Sequence, residues 1–549
     1  MRDLRNCPSL TLRVGILHSA ARLTSTLPNQ FITREGEAPA EPMRRQLGRS
    51  LALPLSSIRK DVSVKGPSVS SRWGPSSHTW FLIALVCFLP LHVSAVVLDR
   101  WFVLPPKPIG DGPDYEAIGY GLSKGNGWST SFSSAEWRSV YENAEDSDAG
   151  LDYSVQLDRR GPIVADTNRP PLLPLCIATL YQIVPRGPIA FGIIRVALAC
   201  CLSIGCAIAV AWGVSLAKAM CQEHGSRLAT YIGLTLIAIV YSERNFRNYT
   251  TDFLTEPLAF LLTQAFLLAA WHGSRKGNWQ WAALAGFLFA GMTFCRGVFL
   301  LWVPLATIWL WYAYRCTFVK NSLLRLSPSR WVAVCMLVFG LVSSIWWVRN
   351  CYVLDSFRPL GTKGSITLMG GYCDESFQSG GEWQFAPERK MRREMESKID
   401  LDAATPADLR DLELEMGKQA GAEVQRWVVG NIRLLPQLLV MRVVTEWNPY
   451  RGKALLLKLF AVIGAFWLIR YNRSALIWLA GPLVINTLLV ALTYSVGGRF
   501  LVPTYGPLFI LAAFGFSGIL FQLVQPFGPF RVVESDLSSW HEPIPNVPP

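Results

Sequence analysis

Apolar residues run along this chain in about ten stretches of membrane-spanning scale, separated by polar segments of very unequal length. The runs lie at 80–98, 188–217, 228–241, 253–271, 279–294, 298–314, 331–348, 454–469, 475–494 and 501–524. Runs of this length predict membrane-spanning helices. The run at 188–217 is long enough to tilt, whereas 228–241 and 279–294 are short. Most connections are tight, but 99–187 and 349–453 are long enough to fold.

Those two segments carry patterns of their own. Ile118 and Leu122 stand four apart, which predicts an amphipathic helix over 114–122 lying along the membrane surface. The stretch 172–184 is apolar but short and bounded by prolines, so it reads as a second interfacial or re-entrant helix. In the later segment, 407–425 is rich in charged helix formers and predicts an exposed helix, and 428–447, with Arg433 and Arg442, predicts a surface-lying one. Reading 428–447 as an eleventh span would put the basic Arg470–Arg473 turn on the outer face, so topology argues against it.

Composition agrees with the pattern. Of 549 residues 51% are hydrophobic and 17% charged, with mean hydropathy +0.28 and 21 Trp, which predicts an all-α polytopic membrane protein. The short loops carry Lys218 and Arg227, Arg275 and Lys276, Arg315, Lys320, Arg325 and Arg330, and Arg470 and Arg473. Placing the N-terminus in the cytoplasm puts all of these inside and both long segments outside. Residues 1–79 hold 12 Lys/Arg against 5 Asp/Glu and no apolar run, and read as a disordered basic cytoplasmic tail or an upstream start of no structural meaning. The membrane domain then covers 80–525, and 526–549 is a cytoplasmic C-terminal tail. The net charge of +13 reports topology; no basic face with stacking aromatics points to nucleic acid.

Several chemistries are excluded. There is no CxxC pair, no HExxH and no GxxxxGK[ST] loop, so a Cys/His zinc site and ATP-driven transport lack support. Cys351 and Cys373, 22 residues apart in the second outer segment, are either bonded or free thiols.

The densest chemistry lies just past the first run, where Asp111, Asp114 and Glu116 surround Tyr115 in a Gly-rich turn. Ionised groups held against a bilayer stay wet and paired or cost several kcal/mol, so the cluster is either a working site or a solvated acidic loop. Further along come Arg169-Pro-Pro-Leu-Leu-Pro174, Tyr249-Thr-Thr-Asp-Phe-Leu-Thr255-Glu256-Pro257-Leu258, Arg349-Asn350 with Gly370-Gly371-Tyr372, Glu446-Trp-Asn-Pro449, and Gly498-Arg499-Phe-Leu-Val-Pro503-x-x-x-Pro507.

Taken in order with Asp111-x-x-x-Tyr115-x-x-x-Gly-x-x-Leu122-x-x-Gly125, these segments resemble the multi-span membrane glycosyltransferases of the GT-C class over about 80–524. Within that class they are most similar to bacterial relatives of protein O-mannosyltransferases and lipid A aminoarabinose transferase. The resemblance implies a hexosyl- or pentosyltransferase of the plasma (inner) membrane. It would move a sugar from a polyprenyl-phosphate donor to an envelope glycan, lipid or protein on the extracytoplasmic face.

It also implies roles. Asp111, four residues before Tyr115, takes the place of the family's acidic residue as base or metal ligand; Asp114 is the second candidate, with Tyr115, Glu116 and Arg169 in support. Glu256 would orient the acceptor or share a divalent cation, Mg or Mn, with Asp111; alternatively it pairs with Arg244 or Arg247. Arg499, after two glycines, is the leading ligand for the donor phosphate and Arg296 the second, against interfacial snorkelling for both. Arg349 is expected to be structural. A transporter or lipid flippase, and a non-catalytic scaffold with a glycosyltransferase-like fold, are the alternatives; the first would favour inverted repeats and mid-span charges.

Overall fold

The computed structural model describes residues 75–107, 110–130, 134–142, 169–220, 225–317, 326–400, 403–448 and 452–524. Nearly all of the 1–79 tail, the whole 526–549 tail and the turn carrying Lys320 and Arg325 lie outside these residues.

In chain order the helices of eight or more residues among those described are α1 (Ser77–Val97), α2 (Gly112–Ser123), α3 (Ala135–Glu142), α4 (Leu172–Tyr181), α5 (Pro188–Met220), α6 (Gly225–Ser242), α7 (Glu256–Lys276), α8 (Trp279–Cys295), α9 (Val303–Thr317), α10 (Pro328–Leu354), α11 (Lys363–Gly371), α12 (Ala386–Glu396), α13 (Pro406–Gly430), α14 (Leu435–Trp447), α15 (Gly452–Tyr471), α16 (Arg473–Leu492) and α17 (Tyr505–Val524). Single 3₁₀ segments, Gly297–Trp302 and Arg499–Thr504, lead into α9 and α17. No strand occurs among the described residues beyond one isolated bridge, Glu382–Ser495.

Each of the ten apolar runs falls on a helix, and the chain is a multi-pass helical membrane protein. Seven helices are long and apolar enough to cross a bilayer, or eight if the bent pair Ala407–Gly430 and Leu435–Trp447 is one span. The other three runs fall short for physical reasons. The helices at 227–242 and 279–295 are short, and α7 carries Thr263, Gln264, His272 and Ser274 among its apolar residues. The bent pair turns through 113°, so 428–447 does not continue α13 straight through a membrane.

Local chemistry sets the helix ends. The side chains of Ser76, Asn278 and Ser327 accept the backbone N–H groups of Thr79, Trp281 and Arg330, capping α1, α8 and α10. Gly277 ends α7 in the left-handed region at φ 70°. Small residues let helices approach closely: a Cβ on Gly464 would strike the Leu511 carbonyl, and one on Gly515 the Phe460 carbonyl, where α15 crosses α17. Outward-facing Val86, Ile345 and Phe466 stay largely exposed, as an apolar solvent requires.

The two ends of the bundle differ in charge. One end carries Lys218, Arg227, Arg275, Lys276, Arg315, Arg330, Arg470 and Arg473, with no Asp or Glu among its described residues. The other holds both long segments. The second packs α11, α12 and α13 around a small core of Ile366, Met369, Met395, Leu412, Met416 and Ala420. Its helix α13 begins with a Thr405–Asp408 capping box. Cys351 and Cys373 are both free thiols.

In the first long segment the structure corrects one expectation. The helix at 114–122 is present as α2, but it is buried on every side from Gly112 to Gly121 rather than presenting one apolar face. The reason is coverage from two directions: Ile177 of α4 closes over Gly119, and Trp137 and Tyr141 of α3 pack beside Ala117 and Tyr120.

Candidate functional site

Asp111 is the N-cap residue of α2, reached through Gly110 at φ 119°, a turn that favours glycine. Two guanidiniums hold its carboxylate. Arg169 Nη1 is 2.8 Å from Oδ1 and Arg499 Nη2 donates to Oδ2 at 2.9 Å. Arg169, just before α4, also donates through Nε to Asp114 Oδ2 at 3.0 Å and pairs with it through Nη2, while its guanidinium lies 5.5 Å from the Tyr115 ring centre. Arg499 pairs in turn with Glu256 Oε1, to which Arg296 Nη1 also donates at 3.0 Å.

The result is one continuous chain of alternating charge, Arg296–Glu256–Arg499–Asp111–Arg169–Asp114. It joins the ends of α2, α4, α7, α8 and the segment before α17, at the end of the bundle that bears the long segments. Its formal charges cancel. Access is graded: the Asp111 and Arg499 side chains are 26% and 24% exposed, the Glu256 side chain fully buried, so the network opens at the Asp111–Arg499 rim. Glu256 Oε2 is a buried carboxylate oxygen without a hydrogen-bond partner. Burial alone would raise the Asp111 carboxyl, but Arg169, Arg499 and Lys363 outweigh it and hold the group well below the usual carboxylate range.

Glu116 does not join this network. It is fully buried and enclosed elsewhere: Tyr181 Oη and Arg186 Nε donate to Oε1 at 2.9 and 2.6 Å, and Trp137 Nε1, Tyr141 Oη and Arg186 Nη2 donate to Oε2 at 2.5, 3.1 and 3.2 Å. Its expected place beside Asp111 is corrected by helical geometry, since one and a half turns of α2 carry the side chain away toward α3. Glu256 pairs with Arg296 and Arg499 across the bundle. Arg349 lies 4.7 and 5.9 Å from the ring centres of Trp346 and Trp128, tying the first long segment to α10.

Buried groups that were not singled out as site residues hold the rim in place. Glu446 accepts from Ser495 Oγ and from the N–H groups of Val496, Phe500 and Leu501 at 2.7–3.1 Å, anchoring the turn that presents Arg499. In that turn Gly497 and Gly498 sit at φ 60° and 97°. Arg195 donates to the carbonyls of Thr251, Phe102, Leu104 and Pro105, fixing the approach to α2. Asp252 accepts from Lys107 N–H at 3.2 Å, with burial raising its carboxyl against the pull of Arg195. An arginine inside the 188–217 apolar run was the visible signal for Arg195; Lys363 and Arg186 gave none.

The residues present do not fit a protein-built cation site. Among the described residues no three His, Cys, Asp or Glu side chains group as metal ligands, and the place between Asp111 and Glu256 is taken by Arg499. Comparison with known proteins adds no relative: no family model, no curated protein and no solved structure matches the chain.

Proposed function

We propose that this protein is a membrane glycosyltransferase that moves a sugar from a polyprenyl-phosphate donor to an acceptor hydroxyl or phosphate on the extracytoplasmic face of the plasma (inner) membrane. The observation that carries the reading is the charge network, which brings Asp111, Asp114, Arg169, Glu256, Arg296 and Arg499 from remote segments to one end of the bundle and leaves its Asp111–Arg499 edge open. A transporter would place such charges near mid-span, between repeats.

The chemistry follows from that edge. For a hydroxyl acceptor, Asp111 stays ionised at working pH and takes the hydroxyl proton as the oxygen attacks the anomeric carbon. The new glycosidic bond forms while the bond from that carbon to the phosphate oxygen breaks, and the polyprenyl phosphate leaves with the electron pair. Arg499 stands beside the reacting groups, oriented by Glu256 and by the turn that Glu446 anchors. Arg296 is the more remote guanidinium and serves to fix Glu256. The topology of about ten spans with cytoplasmic termini belongs to the same proposal.

The test is sugar transfer by the purified full chain in lipid nanodiscs, supplied with a panel of polyprenyl-phosphate sugars and envelope glycans, lipids and peptides. Transfer from at least one lipid-linked donor is expected. Donor breakdown and transfer that never exceed protein-free nanodiscs across the panel would overturn the reading.

A further inference from the structure

The charge network poses a problem for donor binding. Arg296, Arg499 and Arg169 each face a carboxylate, and the network as a whole is neutral, so a lipid phosphate brought to its rim meets no uncompensated positive charge there. Recruiting one of these arginines would strip a cation from a buried or half-buried acid, which is costly.

One cation nearby is free of that constraint. Lys363 is the first residue of α11, in the second long segment, and its ammonium makes no ion pair or hydrogen bond among the described residues, only its backbone carbonyl accepting from Thr367 Oγ1. The approach to it packs beside one end of the network: Leu360 Cδ2 comes within 3.3 Å of a Cβ placed on Gly297, the residue after Arg296. Lys363 is half-buried and its charge is felt at Asp111, though the two do not form a close pair. A Cβ on the next residue, Gly364, would meet nothing within 4 Å, so the space beside the lysine is open. The far end of α11 sits against the turn that leads to Arg499: a Cβ on Gly371 would meet the Thr493 carbonyl and the Tyr494 side chain, whose ring packs on Phe500.

We infer that Lys363 binds the phosphate of the lipid-linked donor, supplying from the second long segment a positive charge, unpaired among the described residues, beside the Asp111–Arg499 rim. This assignment rests on the transferase reading and replaces Arg499 and Arg296 as first ligand of the phosphate. It divides the reaction between two segments: α11 carries the anion site and α2 the proton acceptor. An ammonium suits this task because a compact point charge can follow the phosphate as it changes from diester to departing monoester.

The experiment measures binding of a polyprenyl monophosphate to the full chain in nanodiscs, with inorganic phosphate as the second ligand. The proteins are wild type, Lys363→Gln, Lys363→Arg and the exposed control Lys390→Gln, each checked for an unchanged melting temperature. Lys363→Gln should weaken lipid-phosphate binding by about tenfold or more, the usual scale for one charge-assisted contact. Lys363→Arg should stay within about threefold, and Lys390→Gln should match wild type. Equal affinity in wild type and Lys363→Gln overturns the assignment while leaving the transferase reading intact. Wild type that binds no polyprenyl phosphate, in a preparation that also transfers no sugar, overturns the reading beneath it. Equal Lys363-dependent binding of inorganic phosphate and the lipid form would contradict a site built for a membrane-borne donor.

Discussion

Asp111 and Glu116 stand on one short helix, yet they are bound in opposite ways. Both Glu116 oxygens are saturated by Tyr181, Arg186, Trp137 and Tyr141, and the side chain is sealed from solvent. The Asp111 network shares its arginines among three acids, keeps a quarter of the Asp111 side chain exposed and leaves Glu256 Oε2 without a partner. A carboxylate whose every lone pair is spoken for can only hold structure; one at an open rim can meet a substrate. Glu116 therefore clamps α2 to α3, α4 and Arg186, and that clamp places Asp111.

The comparison breaks first at Glu116. Glu116→Gln leaves Arg186 buried without its counter-ion and should cost about 3–5 kcal/mol of stability, read as a lowered melting temperature or loss of protein from the membrane. A variant as stable as wild type would mean that the cage is not what holds α2. At Gly498, an alanine is strained at φ 97° and its Cβ comes 3.3 Å from the Glu446 carbonyl. Gly498→Ala should cost about 1–3 kcal/mol locally and lower transfer by displacing Arg499, with donor affinity at Lys363 changed little. If transfer is untouched, the turn does not position the rim.

Smaller effects sharpen the contrast. Lys124 and Glu136 form a solvent-exposed pair beside the Glu116 cage, so Lys124→Ala should change stability by less than about 1 kcal/mol. A larger loss in a denaturant melt would show that the cage extends to the surface. The pH response should be smaller still at Asp111. Its folded-state pKa is depressed, so its ion pairs contribute stability that is fully present above the unfolded value of roughly 3.9 and lost only as pH falls through the lower folded one. Between about pH 7 and pH 5 the group stays ionised, and the pH profile of transfer should show no acid limb from it. A limb that disappears in Asp111→Asn would contradict the two-guanidinium environment.

The helices were legible because each apolar run is a local signal; all ten fall on helices, and only the two short ones and the polar-bearing α7 are not long and apolar enough to span. The identity of the charged residues was legible for the same reason, since Asp111, Glu256 and Arg499 stand out against apolar surroundings. Their partners were not. Asp111 meets Arg499 across 388 residues and Glu256 meets it across 243, pairings set by how helix ends converge rather than by any local pattern. Glu116 shows the converse error, because three acids close in sequence look like one cluster until helical rotation separates them. Lys363, in an unremarkable polar stretch, carries no local mark at all.

The most direct measurement compares wild type with Asp111→Asn in sugar transfer and in binding of polyprenyl phosphate, using protein of matched melting temperature. Loss of transfer by about 100-fold or more, the scale of removing a general base, with lipid-phosphate binding retained, is the expected result. Near-normal turnover in Asp111→Asn would contradict the assignment of proton acceptance to the open end of the network.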